Sequence, residues 1–365
     1  MNVRVNREEL TGALGAVGSV AAARTPKPIL QCVQIEALGD QLVLTATDLE
    51  IGVRYVVTQV EVASKGSVVV SAEKLGQIVR ESTDEVLVLE EKDRALEVRC
   101  ADSHFRIFGQ DPAEFPPVAH MEGEADFEIP AETLRGMVEW TVFAAARENT
   151  RYAINGVLWE QDKGVLTLVA TDGRRLSLIA AEVTRSGGTP VHAIVPVKAI
   201  QLFQRIASED GDSVRVKLVG NQILLRTQRA TMSSALVEGH FPRYQEVIPT
   251  DSNKVLHVDT QEFLSAVRRA ALLTNEESRG VRLSITSQQM KLASRAPEQG
   301  EAEITIPVQY KGDDLDIGFN PNFLVDVLRA VRTDEVAFEL KEPNRPGILR
   351  VGPRQLYVVM PLNLS

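Results

Sequence analysis

The chain has 365 residues, 44% hydrophobic and 25% charged, the make-up of an ordinary soluble globular protein long enough for two or three domains. Its 40 basic residues face 50 acidic ones, a net charge of −10 that excludes a uniformly basic nucleic-acid binder but leaves room for a basic patch on an acidic body. Two cysteines, Cys32 and Cys100, exclude a disulfide framework and fit a reducing compartment. No apolar run approaches the ~20 residues of a membrane span, and MNVRVNREEL holds no apolar signal region, so neither export nor membrane residence is expected.

Along the chain, helix starts are marked by capping residues. Asn6 with Glu9 and Asp259 with Glu262 have capping-box spacing, and Asn320-Pro321 reads as a cap followed by proline at the first helical position. One series of helices is predicted through Leu10, Leu14 and Val17, through Leu134, Val138 and Thr141, and through Phe263, Leu264, Val267 and Ala270. A second series runs through Leu75, Ile78 and Val79, through Ile200, Phe203 and Ile206, and through Phe323, Leu324, Val327 and Val331. Between them lie alternating runs that read as half-buried strands: VQIEAL, QLVLTA, VLVLEE, LEVRC, VRVKLV, QILLRT and VAFEL. Few helices and many strands predict α+β domains, each with two helices on antiparallel sheet.

The chain repeats itself. Ala46-Thr47-Asp48 recurs 124 positions later as Ala170-Thr171-Asp172, and Ala293 follows another 123 on. Glu114-Phe115-Pro116 recurs as His240-Phe241-Pro242. Together with the two helix series these spacings define three homologous domains, near 1–120, 121–249 and 250–365, joined by segments rich in proline and acidic residues.

The search for enzyme chemistry yields little. None of the five histidines pairs at i, i+4, the two cysteines lack zinc-ligand spacing, and no phosphate-binding or nucleophile-elbow motif occurs. Asp48 and Asp172 could serve a metal-dependent nucleic-acid enzyme, but Asp172-Gly173 sits between the apolar runs LTLVAT and RRLSLIAAE as a hairpin turn should. Trp140 and Trp159 read as core, and Cys32 and Cys100 as small strand residues. Gly12, Gly15 and Gly18, inside the first helix, imply either close backbone packing or a face kept small beside a ligand. Arg80, Arg135, Lys198, Arg205, Arg268, Arg269, Arg329 and Arg332 all fall on predicted helices, whereas acidic residues crowd strands and joins, as suits helices that face phosphate.

Five motifs carry a resemblance: Arg151-Tyr152-Ala153-Ile154-Asn155-Gly156, Ala170-Thr171-Asp172-Gly173-Arg174-Arg175-Leu176, Phe241-Pro242-Arg243-Tyr244, Asn275-Glu276-Glu277-Ser278-Arg279-Gly280-Val281 and Tyr357-Val358-Val359-Met360-Pro361-Leu362. With the threefold repeat, they resemble the bacterial DNA polymerase sliding clamps, the beta subunits of the replicative polymerase, over the whole chain. The resemblance implies no cofactor and no catalysis. It implies a head-to-tail homodimer forming a ring of six domains around double-stranded DNA, with helices lining the hole. It also implies a cytoplasmic, nucleoid-associated setting. The implied partners are the polymerase catalytic subunit, an ATP-driven clamp loader and other replication and repair proteins with a Gln-Leu-x-Leu-Phe-type motif.

Crude geometry agrees with two chains. At ~8–10 Å between packed helices, six helices enclose a circle of only ~15–19 Å and twelve one of ~31–38 Å, against roughly 20 Å for a duplex.

By resemblance, the partner peptide meets Ile154, Thr171, Gly173, Arg174, Arg175, Leu176, Pro242, Val247, Asn320, Phe323, Val358, Met360, Pro361 and Leu362. The chain differs from the common pattern at Arg174, Glu246, Ser278 and Phe323, which changes the polarity of the pocket's rim, and at Ala153, where the family often has a second aromatic after Tyr152 to meet DNA. DNA is expected at Arg24, Arg80, Arg147, Asn149, Arg151, Tyr152, Lys198 and Arg205. The expected subunit interface sets Lys74, Phe105 and Ile107 against Leu272 and Leu273, with Glu298, Glu301 and Glu303 paired to Arg99 and Arg106.

Overall fold

The computed structural model describes residues 1–21, 25–147, 153–207, 213–274, 280–297 and 299–363. Its helices are α1 (Arg7–Gly18), α2 (Ala72–Glu81), α3 (Ala131–Thr141), α4 (Val197–Ile206), α5 (Thr260–Ala271) and α6 (Pro321–Ala330), two for each repeat as the apolar spacing predicts. The starts of α1, α2, α5 and α6 are fixed by side chains that satisfy otherwise unpaired amides. Asn6 Oδ1 accepts from the amides of Glu8 and Glu9, Ser71 Oγ from Lys74, Asp259 Oδ1 from Glu262 and Asn320 Oδ1 from Asn322. The first of these is half a capping box only: the Glu9 carboxylate turns to Arg229, and the Asn6 amide bonds to the carbonyl of Gln59.

The chain divides into two compact units, one made of Met1–Leu134, Val183–Val191 and Lys198–Leu236, the other of Arg135–Glu182, His192–Val197 and Val237–Ser365. The central repeat thus supplies strands to both. In the first unit, a nine-stranded antiparallel sheet runs from Gly66–Ser71 through Cys32–Leu38, Gln41–Thr47 and Ile51–Val57 into Ala230–Ala235, Gln222–Arg226, Ser213–Val219, Phe127–Pro130 and Arg185–Ser186. The seam between first and second repeat is the pair Ile51–Val57 with Ala230–Ala235, in which Met232 lies opposite Val53. The second unit repeats the plan. Its nine-stranded sheet joins the second and third repeats where Arg175–Glu182 pairs with Gln355–Val359, with Ser177 opposite Tyr357. Among the described residues, each unit has one further antiparallel sheet. In the first unit it ends at the edge strand His104–Phe108, in the second at Gly300–Pro307.

Apolar faces pack as the periodicity requires. Leu10, Ala13, Leu14 and Val17 form the buried face of α1, and Leu75 and Val79 that of α2. Trp140 and Trp159 are each 1% exposed, and the Trp140 indole donates to the carbonyl of Leu178 at 3.0 Å, which satisfies its one polar group.

Four details differ from expectation. A β-carbon added at Gly12, Gly15 or Gly18 would meet nothing within 4 Å, so close backbone packing is not what keeps these positions small. The Asp172-Gly173 connection is longer than a two-residue hairpin, since Thr171 pairs with Leu176. Arg332 lies beyond the end of α6, and Cys100 just beyond the strand Ala95–Arg99.

Candidate functional site

The repeated Thr-Asp pair proves to be the code for a turn. Between Val165–Thr171 and Arg175–Glu182, the Thr171 hydroxyl donates to the carbonyl of Arg175 at 2.7 Å and accepts from the amide of Gly173 at 3.1 Å. Asp172 Oδ1 accepts from the amides of Arg174 and Arg175 at 2.9 and 3.1 Å, closing an Asx-type turn. In the first repeat, Thr47 bonds to the Ile51 carbonyl and the Leu49 amide, and Asp48 Oδ1 to the amides of Glu50 and Ile51. Both carboxylates therefore hold backbone. Each also pairs with a cation of its own unit, Asp48 with Lys198 and Asp172 with Arg175. Among the described residues no group of three or more His, Cys, Asp or Glu could hold a metal. The metal-enzyme alternative finds no support.

The turn at 171–175 forms the mouth of a cavity of about 290 Å³. Ile154, Thr171, Gly173, Arg174, Arg175, Leu176, Pro242, Arg243, Tyr244, Val247, Val358 and Met360 line it. Gly173 sits at φ +84, and a β-carbon there would touch nothing within 4 Å. The corresponding residue of the first repeat, Leu49, holds φ 81 with a full side chain, 54% exposed. Glycine thus leaves space where the sister loop carries a leucine. Met360 forms the opposite wall. Its amide donates to the carbonyl of Arg174 at 2.9 Å, and its side chain is 43% exposed, a flexible apolar surface.

Of the residues expected at the peptide site, Asn320, Phe323, Pro361 and Leu362 do not line this cavity. Asn320 caps α6. Phe323 lies under the Arg175 guanidinium, 4.5 Å from its ring centre. Pro361 and Leu362 line a neighbouring cavity of about 470 Å³ that shares Met360 and includes Arg282, Asp316, Gly318 and Asn344; the Leu362 amide donates there to the carbonyl of Gly318 at 2.8 Å. Arg243 and Tyr244 line the first cavity although sequence reasoning did not assign them a role; both stand in the motif Phe241-Pro242-Arg243-Tyr244. The Tyr244 hydroxyl donates to Glu160 at 2.7 Å, and burial together with that carboxylate pushes it above the usual phenol range.

Arg175 is the most constrained residue of the site. Burial works against its charge, but Tyr357, Asp326 and Asp172 outweigh it and raise its pKa above the ordinary value. The Tyr357 hydroxyl, itself raised chiefly by burial, donates to the carbonyl of Phe323 at 3.0 Å.

The residues expected to meet DNA are only partly within view. Arg80 on α2, Arg147, and Lys198 and Arg205 on α4 are all exposed, the Lys198 ammonium being paired with Asp48. Arg24, Asn149, Arg151 and Tyr152 lie outside the described residues, as do Ser278 and Glu298.

At the expected subunit interface, Lys74 is exposed on α2, Phe105 is 38% exposed and Leu272 76%, whereas Leu273 is half-buried. Ile107 turns into its own unit, 9% exposed, and the unassigned Phe108 beside it is 82% exposed. Arg99 and Arg106 reach Glu90, Asp93 and Glu97 within the first unit, while Glu301 and Glu303 pair with Arg295 and Lys291 within the second. Arg99, then His104, holds the Glu97 carboxyl below its usual range.

Three antiparallel α+β repeats, sewn together by continuous sheets and carrying an apolar pocket at one seam, define a clamp-type binding protein. Models of the DNA polymerase III beta subunit match along the chain: the N-terminal domain over residues 1–120, the central domain over 128–243 and the C-terminal domain over 245–363. The beta sliding clamp of Pseudomonas aeruginosa is 34% identical over 367 residues, covering 100% of both chains. That of Chlamydia pneumoniae is 32% identical over 365 residues, covering 100% of this chain and 99% of its own. Among solved structures, the Bacillus subtilis DNA polymerase sliding clamp superposes with a TM-score of 0.96 at 25% identity, covering 100% of both chains. The Pseudomonas aeruginosa sliding clamp bound to griselimycin superposes with a TM-score of 0.95 at 34% identity, also covering 100% of both. The chain belongs to the DNA polymerase III beta subunit family, the beta sliding clamps.

Proposed function

We propose that two copies of this chain close head to tail into a ring that encircles duplex DNA, slides along it and tethers the replicative polymerase. The observation that carries the ring is a pair of sheet edges left over at the two ends of the repeat series. Corresponding hairpins set Ala46 opposite Val53, Ala170 opposite Ser177 and Ala293 opposite Glu303. Their counterparts set Val98 opposite Phe105, Leu225 opposite Met232 and Leu349 opposite Tyr357. Two seams are made inside the chain, Val53 with Met232 and Ser177 with Tyr357. A third seam in the same register pairs Gly300–Pro307 with His104–Phe108 of a second copy and sets Glu303 against Phe105. Open edge strands invite such pairing, and the exposed Phe108 and Leu272 supply apolar surface beside it. A junction between unlike surfaces closes after two copies as a ring.

The helix-borne cations Arg80, Lys198 and Arg205, with Arg147 and with Arg24, Asn149, Arg151 and Tyr152, then meet phosphates without reading bases, which permits sliding. The cavity beneath Gly173 takes the leucine and phenylalanine anchors of a Gln-Leu-x-Leu-Phe-type segment, carried by the polymerase, the clamp loader and repair proteins. The griselimycin-bound relative supports a ligand-binding surface on this fold. Domain limits near 120 and 249, a cytoplasmic, nucleoid-associated setting and the absence of catalysis belong to the same reading.

The test is topological. Loaded by a clamp loader on nicked circular DNA, the protein should stay bound through high-salt gel filtration and leave when the circle is cut. Retention on the linear product, or a monomeric mass at micromolar concentration, overturns the ring.

A further inference from the structure

We infer that Asp326, on α6, is a positioning residue of the peptide pocket, acting through Arg175 to hold the loop that forms the pocket's mouth; this rests on the peptide-binding reading above. Three nitrogens of the Arg175 guanidinium are committed inside the second unit. Nη1 donates to Asp326 Oδ2 at 2.7 Å, Nε to Asp172 Oδ2 at 3.0 Å and Nη2 to the carbonyl of Phe143 at 2.6 Å. The side chain is 8% exposed, against 34% for Asp326. One face of the guanidinium lies 4.5 Å from the Phe323 ring centre. An arginine so engaged meets a peptide through its stem and not through its charge.

What the charge does is brace the loop. The Asp172 carboxylate that accepts from Nε also accepts from the amides of Arg174 and Arg175, and the carbonyl of Arg174 receives the amide of Met360. A continuous run of hydrogen bonds thus leads from α6 through Asp326, Arg175 and Asp172 to both walls of the pocket. The first repeat lacks this strut: Ile51 stands where Arg175 does, and Lys198 of α4 holds Asp48 instead. The neutral variant D326N leaves a buried guanidinium with one carboxylate fewer, and such a cation shifts toward any remaining acceptor or toward water. The loop then samples conformations in which Gly173 no longer frames the cavity. Binding-competent protein becomes a smaller fraction of the total, and apparent affinity falls by that fraction.

The experiment compares wild type, D326N, D326E and R332A, the last breaking the Arg332–Glu139 pair at 2.7 Å elsewhere in the same unit. A fluorescein-labelled Gln-Leu-Ser-Leu-Phe peptide is titrated by anisotropy, and amide hydrogen exchange is followed over residues 171–176. D326N should raise Kd roughly threefold to thirtyfold, the span typical of coupling through an intermediary residue, and speed exchange at Arg174 and Arg175. D326E, which keeps the carboxylate, should recover part of both, and R332A should change neither. Unchanged affinity in D326N beside a binding wild type overturns the positioning role alone. A wild type that binds no peptide while exchange still responds to D326N overturns the pocket reading, and with it this inference.

Discussion

The amide of Met360 donates to the carbonyl of Arg174 at 2.9 Å, tying the last strand's extension to the loop between two strands of the preceding repeat. The pocket therefore has one wall from the end of the chain. Removing Met360 through Ser365 deletes that wall while leaving Gln355–Val359 in its sheet. The truncated protein should keep its melting temperature within a few degrees and lose saturable binding of the labelled peptide, as read by anisotropy. Binding at wild-type affinity would place the peptide elsewhere.

Gly173 offers a graded test of the same cavity. Replacing it with leucine copies the first repeat, where Leu49 holds nearly the same φ. A non-glycine residue there costs about 1–2 kcal/mol of strain, and the side chain projects at the mouth. Gly173→Leu should fold with a modestly lower melting temperature and weaken peptide binding at least tenfold; Gly173→Ala, with one carbon, should fall between. A leucine variant that binds like wild type removes this loop from the site.

The inferred seam between copies has a register, so it has a covalent test. If Glu303 faces Phe105, then Ala302 faces Arg106. Cysteines at both positions, in a background with Cys32 and Cys100 replaced by serine, should form a disulfide between chains, since directly opposed residues on antiparallel strands lie close to disulfide reach. Oxidation should yield a covalent dimer on a non-reducing gel, and closed rings should trap circular DNA under denaturing conditions. A pair shifted by one residue should cross-link poorly. Efficient cross-linking only in the shifted pair would correct the register.

Asp48 and Asp172 should behave as turn residues. Asp48→Ala loses two bonds to amides and its pairing with Lys198, a destabilisation of roughly 1–3 kcal/mol. Clamp function at permissive temperature should persist, and no metal ion should elicit nuclease or polymerase turnover from the wild type. Turnover abolished by Asp48→Ala would revive the enzymatic alternative.

The DNA face has a salt signature. Each phosphate contact contributes about 0.9 to the slope of log affinity against log salt on duplex DNA. Alanine at Arg24 and Arg151 together should weaken binding and flatten that slope by roughly two, with Arg80 and Arg205 adding smaller steps. An unchanged slope in the double variant removes both residues from the contact surface.

Much of this was legible in the residues. Period and capping located all six helices described, because apolar spacing and terminal amides act locally. The Thr-Asp motif announced its turn at Asp172-Gly173, and its repeat at Thr47-Asp48 proves to be built the same way. What escaped is what depends on a neighbour. Alternation in His104–Phe108 tells which residues share a face, not which face another element covers, so Ile107 was expected outside and Phe108 passed over. Asn320 and Phe323, expected at the peptide, stand outside the lining of the cavity, one capping a helix and the other against a guanidinium, since spacing cannot separate a lining residue from one a layer behind it. The glycines of α1 remain without a packing reason.

The two leftover edge strands are unlike each other, and in the proposed ring that asymmetry decides how many customers the assembly can serve. Joining unlike edges in a pair makes the symmetry axis run through the hole, so turning one copy onto the other never exchanges top for bottom. Both Gly173 cavities must then open on one side of the ring. On that proposal, a polymerase and a second enzyme would wait side by side above the same stretch of duplex, and exchange between them would be a local swap that leaves the ring in place.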